Sequence, residues 1–304
     1  MKKLLSILTI FSLILVAIIA VGILLPATPR ATTSLLFGKK QKDSLLKYVA
    51  PPRIIFVGGS NLSFGLNSQM IRDSLKLFPI NTSIHLAIGL IYMMDNTLPF
   101  IRSGDIVVVS PEYNHFYGDF AYGSDELLRT VMDIEFTRIT KLRWKQWTNF
   151  FSFIPRYAIN KFDPTEYHKN EGDDIYGAHS FNEYGDAYKH WKLKKINFDA
   201  DVAINGNFNY SVLNELSKFK QQVIAKGAVF FITFPGIQAS AFDNLKSQIM
   251  KVETELKKKR FTLIGSPERY KMADSLMFNS SYHLIKKGVD YRTALLIQDL
   301  KKAL

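Results

Sequence analysis

The sequence predicts an α/β protein: a three-layer α/β/α sandwich around a parallel central sheet, preceded by one transmembrane helix. One observation behind this prediction is the apolar run from Leu4 to Leu25. Another is the alternation, after residue 50, of short apolar segments typical of buried strands with segments of helical periodicity. Such an alternation favours a parallel sheet with helices packed on its faces.

The N-terminal run is long enough to cross a membrane, since a helix that rises about 1.5 Å per residue needs roughly 20 residues to span the hydrocarbon core. Pro26, Pro29 and Arg30 follow it in place of a small-x-small cleavage site, which favours an uncleaved anchor over a signal peptide. Lys2 and Lys3 precede it, so the positive-inside rule predicts a cytoplasmic N-terminus. We therefore expect a single-pass protein of the cell membrane whose C-terminal domain is extracytoplasmic, either periplasmic or extracellular.

Three regions are expected: a membrane anchor over residues 1–27, a juxtamembrane linker over 28–50 and one large domain over 51–304. The linker contains an amphipathic piece, Leu35 to Tyr48, that either lies along the bilayer surface or packs on the domain. The formal net charge of +12 suits an acidic envelope polymer or an anionic lipid surface. An outward-facing domain argues against nucleic acid as a partner. The absence of cysteine excludes disulfides and a lipid-modified cysteine.

Strands and helices alternate along most of the domain. The predicted strands are apolar runs bounded by turn residues: Ile54 to Val57, Ser83 to Ile88, Ile106 to Val109, Ala228 to Phe234 and Phe261 to Ile264. The predicted helices show apolar residues at helical spacing: Asn67 to Phe78, Met93 to Ile101, Tyr210 to Ala225, Phe242 to Lys258 and Lys286 to Leu300. Between about residues 117 and 205 the alternation is lost, and an aromatic-rich insertion is predicted to cap the sheet.

Two distant segments supply a candidate nucleophile and its base. Ser60 follows two glycines at the end of the first strand, where a sharp turn leaves backbone N–H groups open to a ligand. A serine hydroxyl needs a base to take its proton, and His283, just before the last helix, is the candidate. Gly89, at the end of the second predicted strand, and Asn114, past the third, are candidate donors to an oxyanion.

From about residue 53 to its end, the chain resembles the SGNH hydrolase family, also called the GDSL family, in four separated blocks. Gly58-Gly59-Ser60-Asn61 resembles the first block, Gly89 the second and Glu112-Tyr113-Asn114-His115 the third. The segment from Phe278 to Leu284 resembles the fourth block. It is similar to the final segment of the membrane-anchored branch of the family, which includes the D-alanyl transfer protein of teichoic acids and the acetyltransferases of alginate and peptidoglycan. The resemblance implies that Ser60 forms an acyl-enzyme and that His283 acts as its base.

The acid that usually precedes the histidine in this family is missing. Asn279 and Ser280 stand at that place, and an amide supplies no negative charge to an imidazole. In a serine protease the corresponding Asp-to-Asn change lowers turnover by about 10⁴. The site is therefore expected to be slow, to work as a Ser-His dyad, to recruit Glu112 or Glu268, or to be inactive.

No cofactor and no metal are expected. The sequence has no phosphate-binding loop and no Rossmann glycine pattern. Six residues of the insertion are of types that bind metals but match no compact ligand motif: His168, Glu171, Asp173, Asp174, His179 and His190. We expect them in a solvated loop.

The expected function is acyl transfer or ester hydrolysis on O-acyl groups, acetyl above all, of a cell-envelope polysaccharide. The resemblance implies a membrane-bound O-acyltransferase as a partner that supplies the acyl group. The alternative is a catalytically inactive protein that uses the same fold to bind a polysaccharide or to assemble an export complex. Asn279 favours this alternative.

Overall fold

A computed structural model describes residues 1–168, 175–198 and 203–304 of the protein. Its strands are β1 (Arg53–Gly58), β2 (Phe78–Asn81), β3 (Ile106–Ser110), β4 (Val229–Thr233), β5 (Ile237–Gln238), β6 (Leu263–Ile264), β7 (Lys271–Met272), β8 (Met277–Ser280) and β9 (His283–Leu284). Its α-helices are α1 (Lys2–Leu24), α2 (Pro29–Thr33), α3 (Lys39–Tyr48), α4 (Ser60–Ser63), α5 (Ser68–Leu75), α6 (Leu90–Thr97), α7 (Asp125–Arg129), α8 (Trp144–Phe150), α9 (Ile154–Asn160), α10 (Tyr210–Ala225), α11 (Ala239–Asn244), α12 (Lys246–Lys258) and α13 (Lys286–Ala303). The helix predicted over residues 242–258 is therefore divided between α11 and α12.

Five strands form a parallel sheet in the order β2-β1-β3-β4-β6, which confirms the predicted α/β class with a parallel central sheet. Ile55 of β1 pairs with Val107 of β3, which in turn pairs with Phe230 of β4. Every residue of β1 and β3 is buried. Since successive side chains of a strand point to opposite faces, both faces of the sheet centre are covered.

The second strand lies earlier than predicted. It spans Phe78–Asn81, and the segment from Ser83 to Ile88, predicted as the strand, leaves the sheet and ends in a 3-10 turn. The side chain of Asn81 ends the strand, because its oxygen accepts the N–H of Ser83 at 3.2 Å and its amide donates to the carbonyl oxygen of Leu62 at 3.0 Å. Ile84, Ala87 and Ile88 of this segment are buried without pairing as a strand.

Residues 28–50 pack on the sheet domain. Leu46 of α3 is buried, and Nζ of Lys42 donates to the carbonyl oxygens of Asn81, 3.0 Å away, and of Gly185. Burial lowers the pKa of Lys42 to about 7, while the negative charge of Asp186 opposes this shift. The amphipathic piece of the sequence is therefore part of the folded body.

A buried ion pair joins the amino ends of the two central strands. Arg53 begins β1, and Asp105 immediately precedes β3. Nε of Arg53 lies 2.9 Å from Oδ1 of Asp105, and NH2 lies 2.6 Å from Oδ2, with both side chains fully buried. The same guanidinium donates to the carbonyl oxygen of Leu46 at 2.7 Å, which ties α3 to the sheet.

α1 is long and apolar enough to cross a membrane. It contacts the domain near its C-terminal end, where Gly22 packs on Ala158 of α9: a Cβ added to Gly22 would lie 2.3 Å from the carbonyl oxygen of Ala158. α9 belongs to the insertion after β3. Arg143 ties the insertion to the sheet domain through ion pairs with Asp95, at 2.9 Å, and Glu215.

Candidate active site

The candidate site lies where the strand order of the sheet reverses. β1 pairs with β2 on one side and with β3 on the other, and in open parallel sheets of this order ligands bind beyond the carboxyl ends of those strands. Gly58, the last residue of β1, pairs with Ser110, the last residue of β3. Ser60 and Glu112 each follow their strand by two residues, so the two side chains emerge at this edge.

The turn before Ser60 requires glycine. A Cβ on Gly59 would lie 2.5 Å from Oε1 of Glu112, and real Cβ atoms do not come that close to another heavy atom. The same Cβ would lie 3.0 Å from Leu86. The missing side chain therefore lets the backbone pass directly over the carboxylate. Ser60 begins α4 and is 6% exposed.

The carboxylate of Glu112 holds the turn through hydrogen bonds. It is fully buried, and its Oε1 accepts hydrogen bonds from the backbone N–H of Asn61 at 3.0 Å, the side-chain amide of Asn61 at 3.3 Å and the hydroxyl of Ser60 at 3.4 Å. Burial raises the pKa of Glu112, against the lowering effect of the hydrogen bonds from Asn61. The candidate substitute acid thus contacts the serine rather than the histidine.

His283 lies on β9 and is held by Asn279. Nδ1 of His283 lies 3.0 Å from Oδ1 of Asn279, while the amide of Asn279 donates to the hydroxyl of Tyr176 at 2.5 Å. Because the amide N–H is directed to Tyr176, the oxygen faces the imidazole and Nδ1 carries the proton. Nε2 is then the basic nitrogen, and no described residue donates a hydrogen bond to it.

Phe64 connects the serine turn with the histidine. Its ring stacks on the imidazole of His283 with centroids 4.3 Å apart. Its N–H donates to the carbonyl oxygen of Ser60 at 2.9 Å, and its own carbonyl oxygen accepts the N–H of Leu284 at 3.3 Å. The hydroxyl of Ser60 is bonded to Glu112 and makes no hydrogen bond with the ring of His283.

The electrostatic surroundings keep His283 neutral. Burial, and then the nearby His190 and His85, lower the pKa of His283 to about 3. His85 also contributes, after the hydrogen bonds from Asn61, to lowering the pKa of Glu112. Nδ1 of His85 accepts the N–H of Ala87 at 3.2 Å, so its Nε2 bears the proton when the ring is neutral.

The two remaining oxyanion candidates are engaged elsewhere. The N–H of Gly89 donates to the carbonyl oxygen of Leu86 at 3.0 Å. The φ of Gly89 is +87°, and a Cβ added to it would lie 2.4 Å from the backbone nitrogen of Gly123. Backbone conformation and lack of space therefore explain why this residue is a glycine. The amide of Asn114 donates to the carbonyl oxygen of Ala203 at 3.2 Å. The N–H of Ser60, in contrast, has no acceptor among the described residues.

Two residues of this site, His85 and Tyr176, are not among the site residues predicted from the sequence, and a third, His190, is predicted in a different environment. His85 lies inside the segment predicted as a strand, and Tyr176 lies in the insertion. His190, expected in a solvated loop, is fully buried: its Nε2 lies 3.0 Å from the carbonyl oxygen of Leu284, and its ring contacts Phe64. That expectation was wrong because contacts made in the folded chain, rather than the polar local sequence, bury this ring.

The other metal-type residues of the insertion do not join the site. His168 and His179 are exposed, and Glu171, Asp173 and Asp174 lie outside the described residues. In the ranges that the structure describes, no three His, Asp or Glu side chains converge as metal ligands. Glu268 is exposed and lies 3.6 Å from Lys246, so it is not available to His283.

A cavity of about 210 Å³ lies between Tyr176 and the segment that follows α1. Tyr176, the partner of Asn279, forms part of its wall, and Arg30, Thr33 and Phe37 of the segment that follows α1 form another part. Arg129 also lines it.

Comparison with known proteins leaves the family open. No family model and no curated protein match the chain. Among solved structures, the X-ray structure of protein YxiM from Bacillus subtilis matches it at 14% identity with a TM-score of 0.38, over 84% of this chain and 57% of that one. The chain thus spans little more than half the length of YxiM, and a similarity at this level supports no conclusion about fold family or function.

Proposed function

We propose that the protein is a membrane-anchored, extracytoplasmic acyltransferase or esterase with a three-layer SGNH-like fold, acting on O-acyl groups of a cell-envelope polysaccharide. One observation carries the proposal: the ring of Phe64 stacks on the imidazole of His283, while its N–H donates to the carbonyl oxygen of Ser60 at the switch point of a parallel sheet. Asn279 binds Nδ1 of this imidazole, and no described residue donates a hydrogen bond to its Nε2. A nucleophile and a base on separate loops at this edge are what acyl transfer requires.

The first step is attack by Ser60 on the donor ester. The hydroxyl leaves Glu112 by rotation about χ1 and donates its proton to Nε2 of His283 as Oγ bonds to the carbonyl carbon. The imidazolium then returns the proton to the departing alcohol, which leaves an acyl-enzyme. A polysaccharide hydroxyl, or water in an esterase, gives its proton to Nε2 of His283 as its oxygen attacks the acyl carbon. The imidazolium passes this proton to Oγ of Ser60 as the bond between Oγ and the acyl carbon breaks, which restores Ser60.

The developing oxyanion needs donors that are already in place. The N–H of Ser60, at the start of α4 and without an acceptor in the described part of the chain, is the donor that the geometry supports most directly. Gly89 and Asn114 remain part of the proposal only if substrate releases them from Leu86 and Ala203.

The neutral state of His283 fits the role of a base. With its pKa lowered to about 3, the ring is neutral at neutral pH, with its one proton on Nδ1, and Nε2 can accept a second proton from Ser60. The same shift makes the imidazolium costly, and Asn279 offers a dipole rather than a charge to stabilise it. We therefore expect slow turnover.

The acyl donor would arrive from the membrane side. The cavity is lined by Tyr176, which bonds to Asn279, and by residues of the segment after α1, and this position suits a donor delivered at the bilayer. A membrane-bound O-acyltransferase that transfers acetyl groups from the cytoplasm would supply it. The acceptor would be a hydroxyl group of the envelope polymer.

A second candidate function is binding without catalysis. The observation in its favour is that the hydroxyl of Ser60 is bonded to a buried carboxyl group and not to His283. In this alternative the site grips an O-acylated polysaccharide or a partner of an export complex, and no acyl-enzyme forms.

Reaction with a fluorophosphonate separates the two functions. Intact protein in detergent is treated with the reagent, and the adduct is located by mass spectrometry in the native protein and in Ser60→Ala. The enzyme hypothesis predicts an adduct on Ser60 that disappears in Ser60→Ala and slows strongly in His283→Ala. A folded native protein with no adduct, and no acetate release from acetylated glycans, would leave binding as the function.

A further inference from the structure

The contact between α1 and α9 fixes where the insertion lies relative to a bilayer. Gly22 is the buried residue of α1, and its backbone touches Ala158, which is itself fully buried. With a rise of about 1.5 Å per residue, Gly22 lies about 30 Å along the helix from Lys2, the thickness of the hydrocarbon core. α9 therefore lies at the level of the membrane surface.

The segment that follows α1 is held against the insertion by two hydrogen bonds. Nζ of Lys161, just after α9, donates to the carbonyl oxygen of Pro26 at 3.1 Å. The hydroxyl of Thr28 donates to Oε2 of Glu166 at 2.9 Å. Because both ends of this short connection are bonded to the insertion, α9 cannot move far from the end of α1.

One face of α9 and its flanking turns is apolar and exposed. We call it the α9 stripe: Phe151, Pro155, Ile159 and Phe162. Their spacing of four, four and three residues places them on one side of a helix. Phe151 is 69% exposed and Ile159 50%.

The stripe lies beside the contact with α1. Within α9, at about 100° per residue, Pro155 and Ile159 lie about 60° and about 100° to one side of Ala158, while the buried Tyr157 lies about 100° to the other side. Arg156 lies beyond the other border of the stripe, is exposed and has no ion pair among the described residues. Around the circumference of α9, the side packed on the protein is thus followed by the contact with α1, then by the α9 stripe and then by Arg156.

We propose that the α9 stripe inserts into the surface of the bilayer that α1 spans, with Arg156 at the level of acidic phospholipid headgroups. This inference rests on the proposed anchoring by α1. Aromatic and aliphatic side chains beside a membrane helix are suited to the acyl-chain boundary, and a neighbouring arginine is suited to anionic lipid. The net charge of +12 has the sign that this partner requires. The domain would then lie flat on the membrane, with the cavity beside α2 close to the lipid.

The test uses tryptophan fluorescence in liposomes of phosphatidylcholine and phosphatidylglycerol that carry brominated acyl chains. Trp144, Trp147 and Trp191 are replaced by phenylalanine in the full-length chain, and one reporter is added. Phe151→Trp reports on the α9 stripe, and Ile159→Trp repeats the measurement if the first variant folds poorly. Phe11→Trp reports on α1. Tyr291→Trp, on an exposed position of α13, is the matched control.

The proposal predicts that bromine quenches Phe151→Trp at least about twofold more strongly than Tyr291→Trp, and most strongly with bromine near the headgroups. Equal quenching of these two reporters, while Phe11→Trp is quenched, would overturn it. If Phe11→Trp is not quenched either, α1 is not inserted, and the anchoring fails together with this inference. Acyl-enzyme chemistry at Ser60 does not enter the measurement, so failure of catalysis is a separate result.

Discussion

Oδ1 of Asn279 lies 3.0 Å from Nδ1 of His283 and supplies no negative charge to the ring. In Asn279→Asp the hydrogen bond is kept and a charge is added that stabilises the imidazolium. We expect the rate of fluorophosphonate labelling at Ser60 to rise by about 10²-fold, less than the roughly 10⁴ of a protease triad because the amide already selects the tautomer. Asn279→Ala, which loses the hydrogen bond, is the control and should react more slowly than the native protein.

The pH profile gives a second readout of the same substitution. Because the pKa of His283 is lowered to about 3, the native labelling rate should not fall through protonation of this ring between about pH 8 and about pH 5. A carboxylate at position 279 raises the pKa of His283, so the acid limb should move to higher pH. A native profile that falls near pH 6.5 would contradict the lowered pKa of His283.

Tyr176 is predicted to act through Asn279. Its hydroxyl accepts the amide N–H at 2.5 Å and so keeps the amide oxygen toward His283. In Tyr176→Phe the amide can turn over and present N–H to Nδ1, which favours the wrong tautomer, and we expect labelling to slow about tenfold. In the Asn279→Asp background the same change should have little effect, because a carboxylate has two equivalent oxygens. Equal losses in both backgrounds would show that Tyr176 acts elsewhere.

The central strands and the serine turn could be predicted from sequence because their signals are local. Ile54 to Val57 is an unbroken apolar run, and two glycines follow it, so both the strand and the sharp turn are encoded within a few residues. The long helices have enough turns for their periodicity to show. α10 begins and ends at the predicted residues, Tyr210 and Ala225.

The remaining features of the site depend on contacts between distant residues. The stacking of Phe64 on His283 and the bond from His190 to Leu284 join segments far apart in sequence. His85 was placed in a strand because the segment around it is apolar, but Asn81 ends the strand earlier through its own side-chain hydrogen bonds. Gly89 and Asn114 follow strands in the sequence, yet the partners of their N–H groups are visible only in the structure.

Glu112 is predicted to stabilise the serine turn mainly as a hydrogen-bond acceptor. Glu112→Gln keeps an oxygen toward Asn61 and removes a carboxyl group whose pKa burial raises, so the free energy of unfolding should be unchanged or higher at pH 7. Glu112→Ala leaves buried donors of Asn61 unpaired and should cost about 3 kcal/mol. Urea unfolding in mild detergent measures both, and Glu268→Ala, at an exposed position, is the control. A large loss in Glu112→Gln would mean that the negative charge itself is required.

The pair between Arg53 and Asp105 is predicted to be critical for stability. Asp105→Asn removes the charge that compensates a fully buried guanidinium and should lower the free energy of unfolding by about 3 to 5 kcal/mol. Asp243→Asn breaks an exposed pair with Lys271, 2.6 Å apart, and should cost less than about 1 kcal/mol. Similar losses in the two variants, measured by urea unfolding, would contradict the assigned burial.

Acid is predicted to destabilise the fold through three histidines. Burial is the largest cause in each case and lowers the pKa of His115 and His190 to about 4 and that of His283 to about 3, from 6.5. As the pH falls below 6.5, these histidines take up protons in the unfolded chain but remain neutral in the folded chain. The free energy of unfolding therefore falls, by up to about 4 kcal/mol per pH unit for three sites. The raised pKa of Glu112 acts in the opposite sense and reduces this slope.

His190→Phe isolates one of these three contributions. The substitution keeps an aromatic ring against Phe64 and Phe278 but loses the hydrogen bond to Leu284, so some stability is lost at neutral pH. The dependence on pH should nevertheless become shallower, by up to about 1.4 kcal/mol per pH unit between pH 6.5 and about pH 4.5. Urea unfolding at several pH values in detergent gives the slope directly. A slope equal to that of the native protein would mean that His190 already takes up a proton in the folded state, and would contradict its burial as a neutral ring beside His283.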